Sequence, residues 1–81
     1  MEQEIKEFIL KALLRAKEPV QDRWLKDAIR SGFMHVAISL GDLKQYIGEC
    51  ESAGWIAGTR DELLGVVWAL TPKGKIKAQQ L

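Results

Sequence analysis

The segment GWIAGTRDELLGVVWALTP, residues 54–72, differs in pattern from the rest of the chain and is the most informative about its architecture. It contains two segments rich in aromatic and β-branched residues, 55–58 (WIAG) and 64–70 (LGVVWAL), as expected of strands. The polar residues 59–62 (TRDE) between them are typical of a turn. The stretch therefore predicts a β-hairpin.

A short helix is predicted directly after this hairpin. Thr71 is a suitable N-cap, and Pro72 fits the first position of a helix, where its missing N–H leaves no bond unmade. The helix is expected to run through Ile76 and Ala78.

Three amphipathic segments precede the hairpin. Apolar residues recur at three- and four-residue spacing over 3–15, about 21–31 and about 39–53, which is the period of a helix face. Pro19 ends the first segment, because proline disfavours helical geometry in the residue before it. Residues 33–38 show no clear period, so an irregular turn, a short helical turn and an extended piece all stay open.

The third helix carries its own start and stop signals. Ser39 followed by Asp42 fits a variant of the N-terminal capping box, and Gly54 fits the left-handed position after a helix. The inward seam of this helix is expected to comprise Leu40, Leu43, Ile47 and Cys50. Cys50 is therefore interpreted as a small packed side chain and not as a nucleophile.

Composition limits the class of protein. Eighty-one residues with 47% hydrophobic and 28% charged side chains suffice for one globular domain, so 1–81 is expected to be a single domain. The longest apolar run, 65–70, is too short to span a membrane, and the N-terminus lacks a secretory pattern. We therefore expect a cytoplasmic protein with no membrane partner.

Few residues of this chain could carry chemistry. One cysteine and one histidine, Cys50 and His35, cannot build the usual zinc site, and no acid, base and nucleophile are grouped together. We therefore expect no cofactor, no metal and no enzymatic activity. The net charge of +1 is low for a domain that holds nucleic acid by charge alone.

Two runs of residues resemble the winged helix-turn-helix family of DNA-binding regulators. IGECESAGWI, residues 47–56, resembles the passage from recognition helix to first wing strand, and WALTPKGKIKA, residues 68–78, resembles the end of the second wing strand. The resemblance implies an α+β winged-helix fold, with three helices followed by a β-hairpin wing and a short C-terminal helix. It also implies a transcription-associated protein that binds double-stranded DNA.

The resemblance further implies that the third helix enters the major groove while the hairpin tip near Arg60 touches the backbone or the minor groove. Lys44 would then meet guanine or phosphate, and Gln45 would read adenine. The DNA-binding set expected on this basis comprises Ser39, Lys44, Gln45, Arg60, Arg30, Lys73 and Lys75.

Several features favour the alternative of a winged-helix protein–protein interaction module that binds no DNA. The third helix carries Asp42, Glu49 and Glu51 against Lys44 alone, and Arg60 is followed by two acidic residues. The C-terminal lysines, around a short helix, are more typical of a solvated surface than of a phosphate-binding site.

Self-association is also expected, through the first and last helices. Leu10 and Leu14 stand off the main apolar face of the first helix, and Ile5, Phe8, Leu14 and Leu81 are candidates for an exposed apolar surface. The three tryptophans, Trp24, Trp55 and Trp68, are expected to pack where the sheet meets the helices.

Overall fold

The computed structural model of the chain describes residues 2–81. Within that range helices and strands follow the predicted order, with one additional strand. The elements are α1 (Glu2–Ala16), β1 (Val20–Gln21), α2 (Asp22–Gly32), α3 (Leu40–Ser52), β2 (Ile56–Asp61), β3 (Gly65–Leu70) and α4 (Pro72–Gln79). The strands form one antiparallel sheet in the order β1-β3-β2. The α+β architecture of three helices, hairpin and final helix is confirmed.

The extra strand, β1, consists of two residues that pair with the middle of β3. Val20 lies opposite Trp68, and Gln21 lies opposite Val67. Two residues are too few to show an alternating pattern, so this strand could not be predicted from periodicity. This pairing connects the residues directly before α2 to the hairpin.

The core lies between the helices and one face of the sheet. Its buried apolar residues are Ile5, Ile9, Leu10, Leu13, Leu25, Ile29, Leu43, Ile47, Cys50, Ile56, Trp68 and Ala78. Leu10 was expected to stand off the main apolar face, and Ile5 was a candidate for an exposed association surface. Both side chains are buried, which contradicts these predictions. Helix α1 packs against α2, α3, α4 and β3, so more of its circumference is covered than a single amphipathic face implies.

Residues 33–39 form the irregular connection that the sequence left open. Its first residue, Phe33, packs edge-on against Phe8 of α1, with ring centroids 5.6 Å apart. The Val36 amide then donates to the Phe33 carbonyl oxygen over 3.0 Å, which closes a turn. The connection is thus an ordered turn anchored on α1.

The predicted signals at both ends of α3 are confirmed. The Asp42 amide donates to Ser39 Oγ (3.1 Å), and the Ser39 amide donates to Asp42 Oδ2 (3.3 Å), which is a complete capping box. At the other end Gly54 has φ +80°, a left-handed conformation that suits glycine.

The hairpin turn lies further along the chain than predicted. Residues 59–61 belong to β2, where Arg60 pairs with Val66, and the turn comprises 62–64. The carboxylate Oδ1 of Asp61 accepts the amides of Leu63 (2.9 Å) and Leu64 (3.0 Å), which fixes the turn after Asp61. The predicted turn at 59–62 was therefore wrong, because polar residues on an exposed strand resemble a loop.

The start of α4 is bonded to the junction between α3 and β2. Thr71 Oγ1 accepts the Gly74 amide (3.0 Å) and donates to the Gly54 carbonyl oxygen (2.5 Å), while the Thr71 amide donates to the Trp55 carbonyl oxygen (3.0 Å). This confirms Thr71 as the N-cap of a helix with Pro72 in its first turn. No helix within residues 2–81 has the length and apolar character needed to cross a membrane.

Candidate nucleic-acid interface

The outward side of α3 is a short polar surface that combines two polar side chains with two glycines. Lys44 and Gln45 are both exposed, one turn and a half into the helix. Gly41 and Gly48 lie on the same side, since residues seven apart return to nearly the same angle. A Cβ at position 48 would meet no atom within 4 Å, so packing inside the chain does not require glycine there.

Two of the three acidic side chains of α3 are engaged elsewhere. The Asp42 carboxylate completes the capping box, and Glu49 turns toward α1, where Lys6 Nζ lies 2.9 Å from Glu49 Oε1. Lys6 also lies 3.2 Å from Glu2 Oε1. Glu49 is thus neutralised by α1, whereas Glu51 stays exposed and lines the groove beside Lys44.

The ion pairs with α1 hold these groups in their charged forms. The hydrogen bond from Lys6 lowers the pKa of the Glu49 carboxyl, and the hydrogen bonds to Glu49 and then Glu2 raise the pKa of the Lys6 ammonium. The contact with Lys6 is made by Oε1, whereas Glu49 Oε2 is buried and has no hydrogen-bond partner among the described residues.

A groove separates α3 from the first turns of α2 and from β3. It is about 270 Å³ and is lined by Asp22, Lys26, Lys44, Ile47, Gly48, Glu51, Val66 and Trp68. Lys26 Nζ lies 2.7 Å from Asp22 Oδ2, so one of the two groove lysines is tethered to an acid. Lys44 forms no ion pair within residues 2–81 and is the cation of this groove that can meet an external anion.

Helix α2 adds a basic stripe beside this groove. Arg23, Lys26 and Arg30 are spaced three and four residues apart and therefore share one side of the helix. Arg23 and Arg30 are exposed. Of these three residues only Lys26 lines the groove with Lys44, while Arg23 and Arg30 lie on the same side of α2 outside its lining.

Two further candidates, Arg60 and Ser39, differ from the expectation in position or in hydrogen bonding. Arg60 is exposed but lies in β2, opposite Val66, and not at the hairpin tip where it was expected. The hydroxyl oxygen of Ser39 is occupied as the helix cap, although the residue is exposed.

The C-terminal lysines are not gathered into one patch. Lys73 Nζ donates to the carbonyl oxygen of Ala53 (2.8 Å), where it satisfies the end of α3. Lys75 lines a separate groove of about 360 Å³ with the end of α1, and Lys77 lies over the Trp55 ring at 5.5 Å from its centroid. The three lysines therefore lie in three different environments and do not form a single basic patch.

Cys50 is packed in the core, as predicted. Burial raises the pKa of its thiol to about 11, so the thiolate needed for nucleophilic chemistry is scarce. Within the described residues, no three His, Cys, Asp or Glu side chains come together as metal ligands.

Two apolar residues expected in the core are exposed instead. Leu40 is 59% exposed, so the buried seam of α3 begins at Leu43. Trp24 is 50% exposed, since it lies one position before the Leu25–Ile29 line that faces the core. Trp68 is buried and Trp55 is partly buried next to the hairpin, as predicted.

The helix order, the wing hairpin and the α3 surface beside it define a winged-helix protein. No protein-family model and no curated protein matches the chain. Several solved structures with the same fold match the chain. ZitR of Lactococcus lactis, in the apo form of a variant, superposes with a TM-score of 0.75 at 17% identity, covering 98% of this chain and 55% of that one.

The adhesin competence repressor AdcR of Streptococcus pyogenes superposes with a TM-score of 0.71 at 22% identity. That match covers 94% of this chain and 52% of the repressor. This chain therefore spans about half the length of the solved structures it resembles. At these identities the likeness establishes the winged-helix fold.

Proposed function

We propose that this chain is the DNA-binding element of a transcription regulator and that α3 enters the major groove of double-stranded DNA. The observation that carries the proposal is the charge on α3. Because Glu49 is paired with Lys6 on α1 and Asp42 caps its own helix, the unpaired charge of Lys44 can face a polyanion, and the Gln45 amide lies beside it within hydrogen-bonding reach of Glu49. The name of one structural neighbour, a competence repressor, is in keeping with this role.

Lys44 and Gln45 are the residues proposed to read bases. A lysine donates to the O6 and N7 acceptors of guanine or to phosphate, and a glutamine forms two hydrogen bonds with adenine. Gly41 and Gly48 keep the same side of α3 free of side chains, so the sugar-phosphate edge can approach the helix backbone closely.

The remaining candidates are proposed to position the domain on the phosphate backbone. Arg30, with Arg23, would approach one strand from α2, and Arg60 would approach it from the wing. Ser39 can donate its hydroxyl hydrogen to phosphate while its oxygen still caps α3. Lys73 and Lys75 would contribute long-range attraction, since they lie apart from the α3 surface.

A titration at several salt concentrations tests DNA binding. The protein is added to a labelled mixed-sequence duplex, and fluorescence anisotropy is followed at low and moderate salt. The logarithm of the affinity is expected to fall linearly with the logarithm of salt, with a slope of about −0.9 for each phosphate contacted. Absence of binding at low salt would refute the proposal.

Matched variants separate base reading from general attraction. Lys44→Ala is expected to weaken binding and to reduce the salt slope by about 1, because one phosphate or base contact is lost. Gln45→Ala should reduce the preference for selected sequences by about 1–3 kcal/mol at the base it reads. Lys17→Gln removes a charge at the end of α1, away from α3, and should leave the affinity nearly unchanged. Equal weakening by Lys17→Gln would point to unspecific attraction.

A protein-interaction module is the second candidate function, and one observation favours it. The hairpin tip is apolar and acidic: Leu63 is 93% exposed, Leu64 is 50% exposed, and Glu62 precedes them. Such a tip suits a protein surface better than a phosphate backbone. The two functions are compatible, because the tip and the outward side of α3 are different surfaces.

A further inference from the structure

The hairpin tip of this protein is a rigid apolar projection. Asp61 Oδ1 holds the amides of Leu63 and Leu64, and Gly65 closes the turn with φ +79°. Leu63 is 93% exposed and so rests against no surface of its own chain. Because the ordered turn keeps this apolar side chain in water, covering it with another apolar surface lowers the free energy of the system.

A groove lined mostly by apolar residues, and therefore suited to an apolar side chain such as Leu63, lies between α1 and α2. It is about 430 Å³ and is lined by Phe8, Lys11, Ala12, Arg15, Ala16, Trp24 and Ala28. The groove exists because three alanines separate the larger Phe8 from the half-exposed Trp24, so short side chains leave the space between them unfilled. Its floor is apolar, and both of its charged lining residues are basic.

The charges of the tip and of the groove are opposite. Glu62 is exposed beside Leu63, whereas Lys11 and Arg15 are exposed at the edge of the groove, and none of the three forms an ion pair within residues 2–81. Arg60 is also exposed but lies in the strand, two residues before Glu62. The outermost residues of the tip are therefore acidic and apolar, and the groove is basic and apolar.

We propose that this chain self-associates by inserting the Leu63–Leu64 tip of one copy into the α1–α2 groove of a second copy. Leu63 and Leu64 would cover Phe8, Ala12 and Trp24, and Glu62 would pair with Arg15 or Lys11. Twofold symmetry would let each of two copies give a tip and receive one, so the contact would form twice.

Self-association of this kind does not depend on DNA binding. Trp24 and Ala28 line this groove, whereas Lys26 lines the groove beside α3 on the other side of α2. The groove that receives the tip is therefore separate from the groove beside α3. Failure of DNA binding would leave the association intact, and the reverse also holds.

Sedimentation equilibrium over a wide concentration range tests the association. The wild-type chain is expected to associate reversibly, and Leu63→Lys should weaken the association at least tenfold, because a cation would enter an apolar groove whose charged lining residues are also basic. Met34→Lys is the matched control: Met34 is 84% exposed and lies in the connection between α2 and α3, outside tip and groove. Equal weakening by both variants, or a wild-type chain that stays monomeric, would overturn the proposal.

A charge exchange tests the pairing itself. Arg15→Glu and Glu62→Arg should each weaken association, and the double variant should restore it, since the pair is re-formed with the charges reversed. Absence of restoration would overturn the assigned pairing. The indole N–H signal of Trp24 should shift with protein concentration in nuclear magnetic resonance spectra, whereas that of Trp68, which is bonded to Asp22, should not. A complex with another protein through the same tip, without self-association, would also overturn the proposal.

Discussion

Trp68 Nε1 donates a 2.9 Å hydrogen bond to Oδ1 of Asp22, and this bond joins the centre of the wing to the first turn of α2. The other carboxylate oxygen of Asp22 lies 2.7 Å from Lys26 Nζ. One acidic side chain thus fixes the wing strand, the start of α2 and one lysine of the groove beside α3. Its position at the N-terminus of α2 also favours the negative charge, because the helix dipole is positive there.

Removal of the Asp22 carboxylate should loosen the wing. Asp22→Ala leaves the partly buried Trp68 N–H without its acceptor, and we expect the free energy of unfolding to fall by about 1–3 kcal/mol. Asp27→Ala, on an exposed position of the same helix, should change it by less than about 0.5 kcal/mol. Urea unfolding followed by tryptophan fluorescence measures both. Similar midpoints for the two variants would contradict the role of the Trp68 bond.

The same carboxylate should make stability depend on acid pH. Burial alone raises the pKa of Asp22, but the hydrogen bonds from Lys26 and Trp68 outweigh it and leave the pKa below its ordinary value of 3.8. The folded state therefore binds this proton less readily than the unfolded state, and the stability it supplies is present above 3.8 and lost as the pH falls through the folded-state pKa. Asp22→Asn should lose less stability than the wild type between pH 7 and about pH 3. Parallel losses in the two proteins would refute this assignment.

Two glycines should respond in opposite directions to alanine. Gly48→Ala fills open space and removes the flexibility of glycine from a helix, so we expect a gain of about 0.5–1 kcal/mol. Gly74→Ala would drive a Cβ into the carbonyl group of Trp55, and we expect a loss of about 1–3 kcal/mol or more. Thermal unfolding gives both values. Weaker DNA binding by the more stable Gly48→Ala variant would further support close approach of the duplex to α3, whereas destabilisation by Gly48→Ala would contradict the open space around it.

Capping and DNA contact can be separated at Ser39. Ser39→Ala removes the acceptor of the Asp42 amide and should cost about 1 kcal/mol, whereas Ser31→Ala at an exposed position of α2 should have little effect. Ser39→Asp keeps a capping oxygen and adds a negative charge. It should therefore retain the stability and weaken DNA binding, as measured by urea unfolding and anisotropy. Unchanged DNA binding by Ser39→Asp would remove Ser39 from the proposed interface.

The buried thiol should report on unfolding. Because burial raises the pKa of Cys50 to about 11, its reaction with a disulfide reagent at pH 8 should be far slower in the folded protein than in urea. The rate at low denaturant should follow the opening of the core. Absorbance of the released thiolate measures it, and fast reaction in the folded state would contradict the packing of Cys50.

Local signals let the sequence predict the helices and the hairpin. Ser39 and Asp42 are three residues apart, as a capping box requires, and Gly54 follows where a left-handed residue is needed. These interactions span a few residues, so their spacing along the chain is sufficient to reveal them. The turn was misplaced because the side chain of Asp61, and not the run of polar residues, decides where β2 ends.

Periodicity and caps are local properties, so they were sufficient to predict the helices, the hairpin, the packing of Cys50 and the polar character of α3. Strand β1, the turn of Glu49 toward Lys6 and the burial of Leu10 depend on neighbours far away along the chain, and the folded structure was needed to reveal them. The apolar tip at Leu63 and the groove beside Trp24 likewise became visible only when exposure was known. A helix repeats its faces every few residues, but which face meets another element is fixed by how all the elements pack together.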